Sequence, residues 1–256
     1  EKQTLEKNKI IAKLTILEHK KLMKPLMPHS ANNNLLVQTV GSAFASSEQI
    51  YYGDNRRAGV MVVNIFLFDD FEIMDAFGPA QIFGCRPDEF YVRYLSLRGG
   101  LVTGKQGVKV WTEPLNPIEI EDIFLLPGGI GVKSFLHMEG ENGCKLLKEA
   151  VEEAEFCMMV QNGSAFLAKS GLLFRRQIAD YNYDENWKRM FTVGIDYMNG
   201  IRWCADGKYY SCNNTMAAID MTLGLISDMV DVSMAENIAE KIGYSWDSES
   251  ESDFVM

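Results

Sequence analysis

Residues 156–173 combine a short apolar run, an abrupt break and a helical segment that ends at a glycine. Phe156–Val160 is continuously apolar, as expected for a strand buried in a sheet. The break falls at Gln161, and Gly171 ends the helical segment. This order predicts a nucleophile elbow, a sharp turn that holds one side chain above a helix N-terminus, where an anion is favoured. The position suits Cys or Ser, but the amide of Gln161 cannot act as a nucleophile.

From residue 59 onward, apolar runs of strand length alternate with segments of helical length. Gly59–Phe68 is an apolar run typical of a strand buried in a parallel sheet. Asp206-Gly207, between the runs 200–204 and 208–212, predicts a β-hairpin. The alternation predicts an α/β domain with a doubly wound, mostly parallel sheet and helices on both faces. Further strands are predicted at 90–97, 108–112, 122–126 and 178–181, and helices at 71–83, 142–154, 215–230 and 233–242, with a helical turn at 187–191.

Charge and composition divide the chain into three predicted regions: an arm (1–58), an α/β domain (59–244) and an acidic, Ser-rich tail (245–256). The arm carries nine Lys/Arg against five Asp/Glu, about +4, and the remainder carries 16 against 30, or −14. The resulting net charge of −10 argues against nucleic acid as the main partner. No apolar run reaches the roughly 18–20 residues of a membrane span.

Apolar residues recur at helical spacing among the lysines of residues 5–23, which predicts an amphipathic helix. Pro25 and Pro28 would end it. Such a helix could dock on its own domain, bind a protein partner or lie on a membrane surface. Binding a partner would form a homo- or hetero-oligomer. The candidate partner-binding residues are Leu5, Ile10, Ile11, Leu14, Leu17 and Leu22.

The five cysteines are odd in number and lack CxxC spacing, so we expect reduced thiols and an intracellular location. That location is the cytoplasm or an organelle such as the mitochondrion. The chain does not begin with Met, which is compatible with removal of a transit peptide. The three histidines are far apart, and the sequence lacks an HExxH, GxGxxG or Walker motif, so we expect neither a metal nor a cofactor.

Three segments should converge at the carboxyl ends of the strands, where open α/β sheets place their sites. They are the run Asp75–Pro79, the turn Pro127–Gly129 and the elbow, including Gly163 and Gly171. In their order and spacing, these motifs resemble the ThiJ/PfpI superfamily, which has the flavodoxin-like fold of class I glutamine amidotransferases. The resemblance covers residues 59–244 and is strongest to the branch that contains isonitrile hydratase and the amino-terminal domains of some AraC-type regulators.

The resemblance implies a reactive Cys at the position of Gln161, with the acidic Asp75 beside it to assist proton transfer. It also implies that Gly128 and Gly129 could offer backbone N–H groups to a developing anion. We interpret these glycines first as a requirement of the turn itself. The family's His after the elbow helix maps onto Tyr181. Members of the superfamily usually form dimers.

Because the cysteine and the histidine are both replaced, the sequence predicts an inactive member of the superfamily that serves as a structural or interaction subunit through its arm. In this interpretation the Gln161 amide donates a hydrogen bond to the Asp75 carboxylate in the former pocket. Two alternatives remain: a hydratase or hydrolase of the isonitrile hydratase type that uses Asp75 and water, and a module that senses a small molecule.

Overall fold

The structure, a computed structural model, describes residues 59–246. The predicted arm, with its six candidate partner-binding residues, and residues 247–256 of the predicted tail lie outside the described residues. In the described region, no helix is long and apolar enough to cross a bilayer.

Ten strands form two sheets in residues 59–246. They are β1 (Met61–Phe66), β2 (Phe90–Ser96), β3 (Gly100–Thr103), β4 (Lys109–Pro114), β5 (Ile123–Leu126), β6 (Phe156–Val160), β7 (Gln177–Ala179), β8 (Asp196–Met198), β9 (Trp203–Asp206) and β10 (Tyr209–Cys212). The main sheet has eight strands in the order β3-β4-β2-β1-β5-β6-β10-β9, and β7 pairs with β8 separately.

Seven α-helices connect or flank these strands in the same part of the chain. They are α1 (Ile73–Phe83), α2 (Gly131–Met138), α3 (Gly140–Glu153), α4 (Ser164–Ser170), α5 (Glu185–Lys188), α6 (Ala217–Met229) and α7 (Val232–Lys241). Short 3-10 turns lie at Pro117–Glu119, Gln161–Gly163 and Arg189–Phe191.

The sheet is doubly wound around β1, which pairs in parallel with β2 on one side and with β5 on the other. The pairs β2–β4, β5–β6 and β6–β10 are also parallel, and only the outermost pairs, β3–β4 and β9–β10, are antiparallel. Helix α6 contacts both α1 and α7, whereas α2, α3 and α4 contact one another. The predicted architecture, a mostly parallel sheet with helices on both faces, is confirmed.

The central strands are buried on both faces, as their apolar composition predicts. Every residue of β5 is buried, as are all residues of β1 and β6 except the first of each. The hairpin predicted at Asp206-Gly207 is present, since Asp206 pairs with Tyr209 at the end of β9–β10.

Three elements were not predicted: β3, β8 and α2. The strand β3 is four residues long and follows two glycines, so it has too few residues to show an alternating pattern. Helix α2 begins at Gly131 immediately after the glycine turn and has only eight residues, too few for its apolar positions Val132, Phe135 and Leu136 to establish a helical period.

Candidate functional site

The predicted elbow is present between β6 and α4. Gln161 has a φ of +49°, a left-handed conformation that is uncommon for any residue other than glycine. Gly163 allows the start of α4 to lie directly against the end of β5, because a Cβ there would come within 2.4 Å of the Leu126 carbonyl oxygen. Gly171, with φ +80°, ends α4 as predicted. Backbone strain of this kind is typical of positions where a fold presents a side chain to a site.

Asp75 lies in the first turn of α1 and is completely buried. The Gln161 Nε2 group donates to both carboxylate oxygens of Asp75, at 3.3 and 3.2 Å, and to the Thr215 hydroxyl oxygen at 2.9 Å. The hydrogen bond that the sequence suggested between Gln161 and Asp75 is therefore present. The amide joins three segments: the start of α1, the elbow and the residues before α6.

Burial raises the pKa of the Asp75 carboxyl from 3.8 to about 6. Hydrogen bonds from Thr215, Gln161 and the Gly128 backbone lower this pKa, but by less than burial raises it, and the charge of Glu72 raises it further. Three donors thus compensate only part of the cost of removing the carboxylate from water. The group changes its charge close to neutral pH.

The turn Pro127–Gly129 closes the site from the side of β5. The Gly128 N–H donates to Asp75 Oδ2 at 3.2 Å, and the Gly129 N–H donates to Asn162 Oδ1 at 2.9 Å. Asn162 in turn donates from Nδ2 to the Gly129 carbonyl oxygen at 2.8 Å. Both N–H groups that could have faced a developing anion are therefore already used inside the protein.

The two glycines of this turn are also required by its geometry. A Cβ on Gly128 would lie 2.7 Å from Asn162 Oδ1 and 2.8 Å from Asp75 Oδ2. Gly129 has a φ of +144° and its Cβ would lie 2.5 Å from the Asp70 carbonyl oxygen, so no side chain fits at either position. These contacts agree with the interpretation of both residues as structural.

Tyr181, the residue at the position of the family's histidine, is buried next to the elbow. Its hydroxyl faces Ser164 and Tyr197 without meeting hydrogen-bond geometry with either. Burial raises the pKa of Tyr181 well above its ordinary value, so the ring carries a neutral hydroxyl. Lys188 Nζ lies 5.1 Å from the Tyr181 ring and 5.0 Å from the Tyr197 ring, and it forms an ion pair with Asp180.

The other candidate nucleophiles lie in unsuitable surroundings. All five cysteines are free and buried, and burial raises the pKa of Cys157, in the strand before the elbow, to about 12. Ser164 is buried and donates to the Gln161 carbonyl oxygen at 3.0 Å. Within the described region the one histidine, His137, is exposed in α2, whereas Ser164 is buried. No group of three or more metal-binding side chains converges anywhere in residues 59–246.

Residues 61–228 match the sequence profile of the DJ-1/PfpI family. The chain belongs to this family. A comparison with curated proteins found no match to the sequence. The assignment agrees with the resemblance inferred from the order of the three motifs.

Solved structures of this type share the fold at low sequence identity. A ThiJ/PfpI family protein from Pseudomonas syringae superposes with a TM-score of 0.66 at 16% identity, over 91% of this chain and 88% of its own. DJ-1beta of Drosophila melanogaster gives 0.63 at 17%, over 73% and 100%. An AraC family transcriptional regulator from Pseudomonas putida gives 0.62 at 17%, over 71% and 99%. These similarities concern the fold.

Sequence reasoning missed part of this family member's site. Asn162 lies beside the elbow residue in the chain, and its place directly after a buried strand was the available signal for a structural role. Thr215 precedes a helix, a common place for a hydroxyl, but nothing in the sequence pairs it with Asp75. Lys188 is a single lysine in a polar segment, and no local pattern indicates that it is buried between two tyrosine rings.

Proposed function

We propose that this chain is a catalytically inactive member of the DJ-1/PfpI family that acts as a structural or interaction subunit through residues 1–58. The observation that carries the first part is the hydrogen bonding of Gln161. This residue stands where the family resemblance places the reactive cysteine, and its amide donates to Asp75 and Thr215. A primary amide is not a nucleophile, and here its N–H groups are already engaged.

The surroundings of the elbow support the same conclusion. Covalent catalysis also needs free donors for the negative charge that develops on the substrate. The N–H groups of Gly128 and Gly129 are bonded to Asp75 and Asn162 instead. A substrate would have to break these internal hydrogen bonds before either donor became available.

One observation favours a second candidate, a hydratase or hydrolase that uses Asp75 with water. The pKa of Asp75, at about 6, lies near neutral pH, where a general acid or base works well. Complete burial of the side chain argues against this candidate, because water must reach the carboxylate for it to act.

The first test compares the full-length chain with Asp75→Asn and Gln161→Cys variants in assays with isonitriles and reactive carbonyl compounds. We expect no turnover by the wild type above that of Asp75→Asn. Turnover by the wild type that disappears in Asp75→Asn would refute inactivity and support the second candidate.

The Gln161→Cys variant shows whether the elbow still activates a thiol. We expect faster alkylation by iodoacetamide than in the wild type, whose five native thiols are all buried. We expect no turnover, because the Gly128 and Gly129 donors remain engaged. Turnover by this variant would mean that the missing thiol is the sole defect.

The second test addresses the arm. Residues 1–58 carry about +4, opposite in sign to the rest of the chain, and contain the apolar spacing described above. We propose that Leu14 belongs to the partner-binding face, so Leu14→Glu should release the tagged chain from its native assembly. Ala12→Glu adds the same charge about 160° around the predicted helix from Leu14 and should not. Equal behaviour of the two variants would refute binding through this face. An intracellular location, in the cytoplasm or in an organelle such as the mitochondrion, remains a prediction.

A further inference from the structure

A cavity of about 240 Å³ lies beside the ends of β1 and β2. It is formed by the residues that follow β1 and β2, by the outer strand β3 and by helix α2. Its lining includes neither Asp75 nor Gln161. The cavity is therefore separate from the site described above, although it also lies at the carboxyl ends of parallel strands, where α/β folds bind ligands.

The walls of this cavity are mainly apolar and partly aromatic. Phe68 and Phe135 contact each other with ring centroids 6.2 Å apart, and both contact the buried ring of Phe166 at 5.3 and 5.2 Å. A cavity of about 150 Å³ is enough to hold benzene. The space here therefore suits one aromatic ring with a short side chain. The apolar lining residues are Leu67, Phe68, Leu97, Leu101, Val102, Phe135 and Met138.

An ion pair spans two walls of the cavity. Arg98, in the turn after β2, donates from both terminal nitrogens to the two carboxylate oxygens of Glu139, each at 2.7 Å. Glu139 follows α2, so the pair joins the sheet to that helix. Because both oxygens of Glu139 are bound in this way, neither side chain offers an uncompensated charge to a ligand.

Asp69 supplies the remaining charge of the lining. Its Oδ1 accepts the Thr103 N–H at 2.9 Å, which holds the carboxylate beside β3. Among residues 59–246, no side chain of opposite charge lies within ion-pair distance of it. The charges that line the cavity sum to −1: two carboxylates and one guanidinium.

We propose that this cavity binds a small primary amine with an apolar, one-ring body. The ring would occupy the apolar space against Phe68 and Phe135, and the ammonium group would pair with Asp69. A carboxylate ligand fits less well, because it would have to displace Glu139 from Arg98. This inference goes beyond the proposed interaction role and does not depend on it.

The experiment uses three probes that share one ring and differ in charge: 2-phenylethylamine, 2-phenylethanol and 3-phenylpropionate. Each is titrated into the full 256-residue chain at pH 7 and about 0.15 M ionic strength, where the charge of a neighbouring residue is largely screened, and binding is followed by amide NMR shifts. We expect the amine to bind at least about tenfold more tightly than the alcohol or the acid. The shifted amides should lie in 97–102 and 131–138 and not at Gln161.

Two substitutions of equal charge provide the matched control. Asp69→Asn keeps an oxygen for the Thr103 N–H and should weaken the amine at least about tenfold. Asp70→Asn removes the same charge at a neighbour that is exposed like Asp69 but lies outside the lining, and it should leave the affinity within about twofold. Ser134→Phe should fill the cavity and abolish saturable shifts.

Three results would overturn the proposal: no saturable shift with the amine, equal binding of amine and alcohol, or unchanged binding in Asp69→Asn. Tighter binding of 3-phenylpropionate would also overturn it, since Arg98 would then have left Glu139 for the ligand. If Ser134→Phe does not fold, the comparison of Asp69→Asn with Asp70→Asn still decides the outcome.

Discussion

Replacing Asp75 with asparagine should stabilise the protein increasingly as the pH rises. Burial raises the pKa of Asp75 from 3.8 to about 6, so the folded state favours the neutral carboxyl. Stability from this group is fully present below pH 3.8 and is lost as the pH rises through about 6. At about 1.36 kcal/mol per pH unit, ionisation costs about 3 kcal/mol at pH 8, roughly half of which develops between pH 5 and pH 8. Asparagine never ionises and avoids this cost.

The assay is urea unfolding of the full chain and of Asp75→Asn at a series of pH values from 5 to 8. Any change in hydrogen bonding to Gln161, Gly128 or Thr215 shifts the difference in unfolding free energy by a constant, so its pH dependence isolates the ionisation. Glu139→Gln is a control of opposite sign, because the hydrogen bonds from Arg98 lower the pKa of Glu139. There the advantage of the wild type should stay constant from pH 8 to pH 5 and shrink only as the pH falls below 4.5, so for this pair the series is extended to about pH 3. Parallel curves for wild type and Asp75→Asn would refute a buried, ionising Asp75.

Three further substitutions test contacts of this fold by urea unfolding. Gln161→Glu places a second carboxylate about 3.2 Å from that of Asp75. The unfolding free energy should fall by about 3 kcal/mol at pH 8 and recover towards pH 5. A loss that does not depend on pH would contradict this. Gly131→Ala brings a Cβ within 1.8 Å of a carbonyl oxygen and should cost about 3 kcal/mol or more, whereas Gly78→Ala, with no atom nearer than 4.0 Å, should stay within about 1 kcal/mol. Lys208→Met removes donations of 2.6, 3.3 and 2.9 Å to carbonyl oxygens at the end of α3 and should cost about 1–2 kcal/mol; an unchanged unfolding free energy would refute this contribution.

The sheet could be predicted from sequence because its central strands have no solvated face. Apart from Asn64, residues 61–66, 123–126 and 156–160 are apolar without alternation. Such runs, separated by helices of ordinary length, permit few arrangements other than a parallel sheet. The sequences of the outer strands constrain their structure less. β3 has four residues, of which Leu101 is exposed and Val102 buried, so its pairing with β4 depends on the turn between them more than on its own composition.

The elbow could be predicted for a different reason: it needs particular residues at particular places. Gly163 must be small to approach β5, and Gly171 must adopt a positive φ, so both mark the turn and the end of α4 in the sequence itself. The partnership of Gln161 with Asp75 followed from placing a donor opposite a buried carboxylate. Local sequence contains no equivalent constraint on Thr215, 54 residues after Gln161, which completes the same hydrogen-bond group.

Site chemistry was harder to predict than site position because the former depends on which donors are already bonded. From sequence, the Gly128–Gly129 turn has the same two N–H groups whether it stabilises an anion or holds its own neighbours. The structure distinguishes the cases through Asn162, whose side chain both accepts from and donates to Gly129. With Gly128 bonded to Asp75, the turn is saturated from within. Restoring a thiol at Gln161 would therefore return a nucleophile to a site whose anion-stabilising groups still serve the fold, which is why we expect reactivity towards iodoacetamide without turnover.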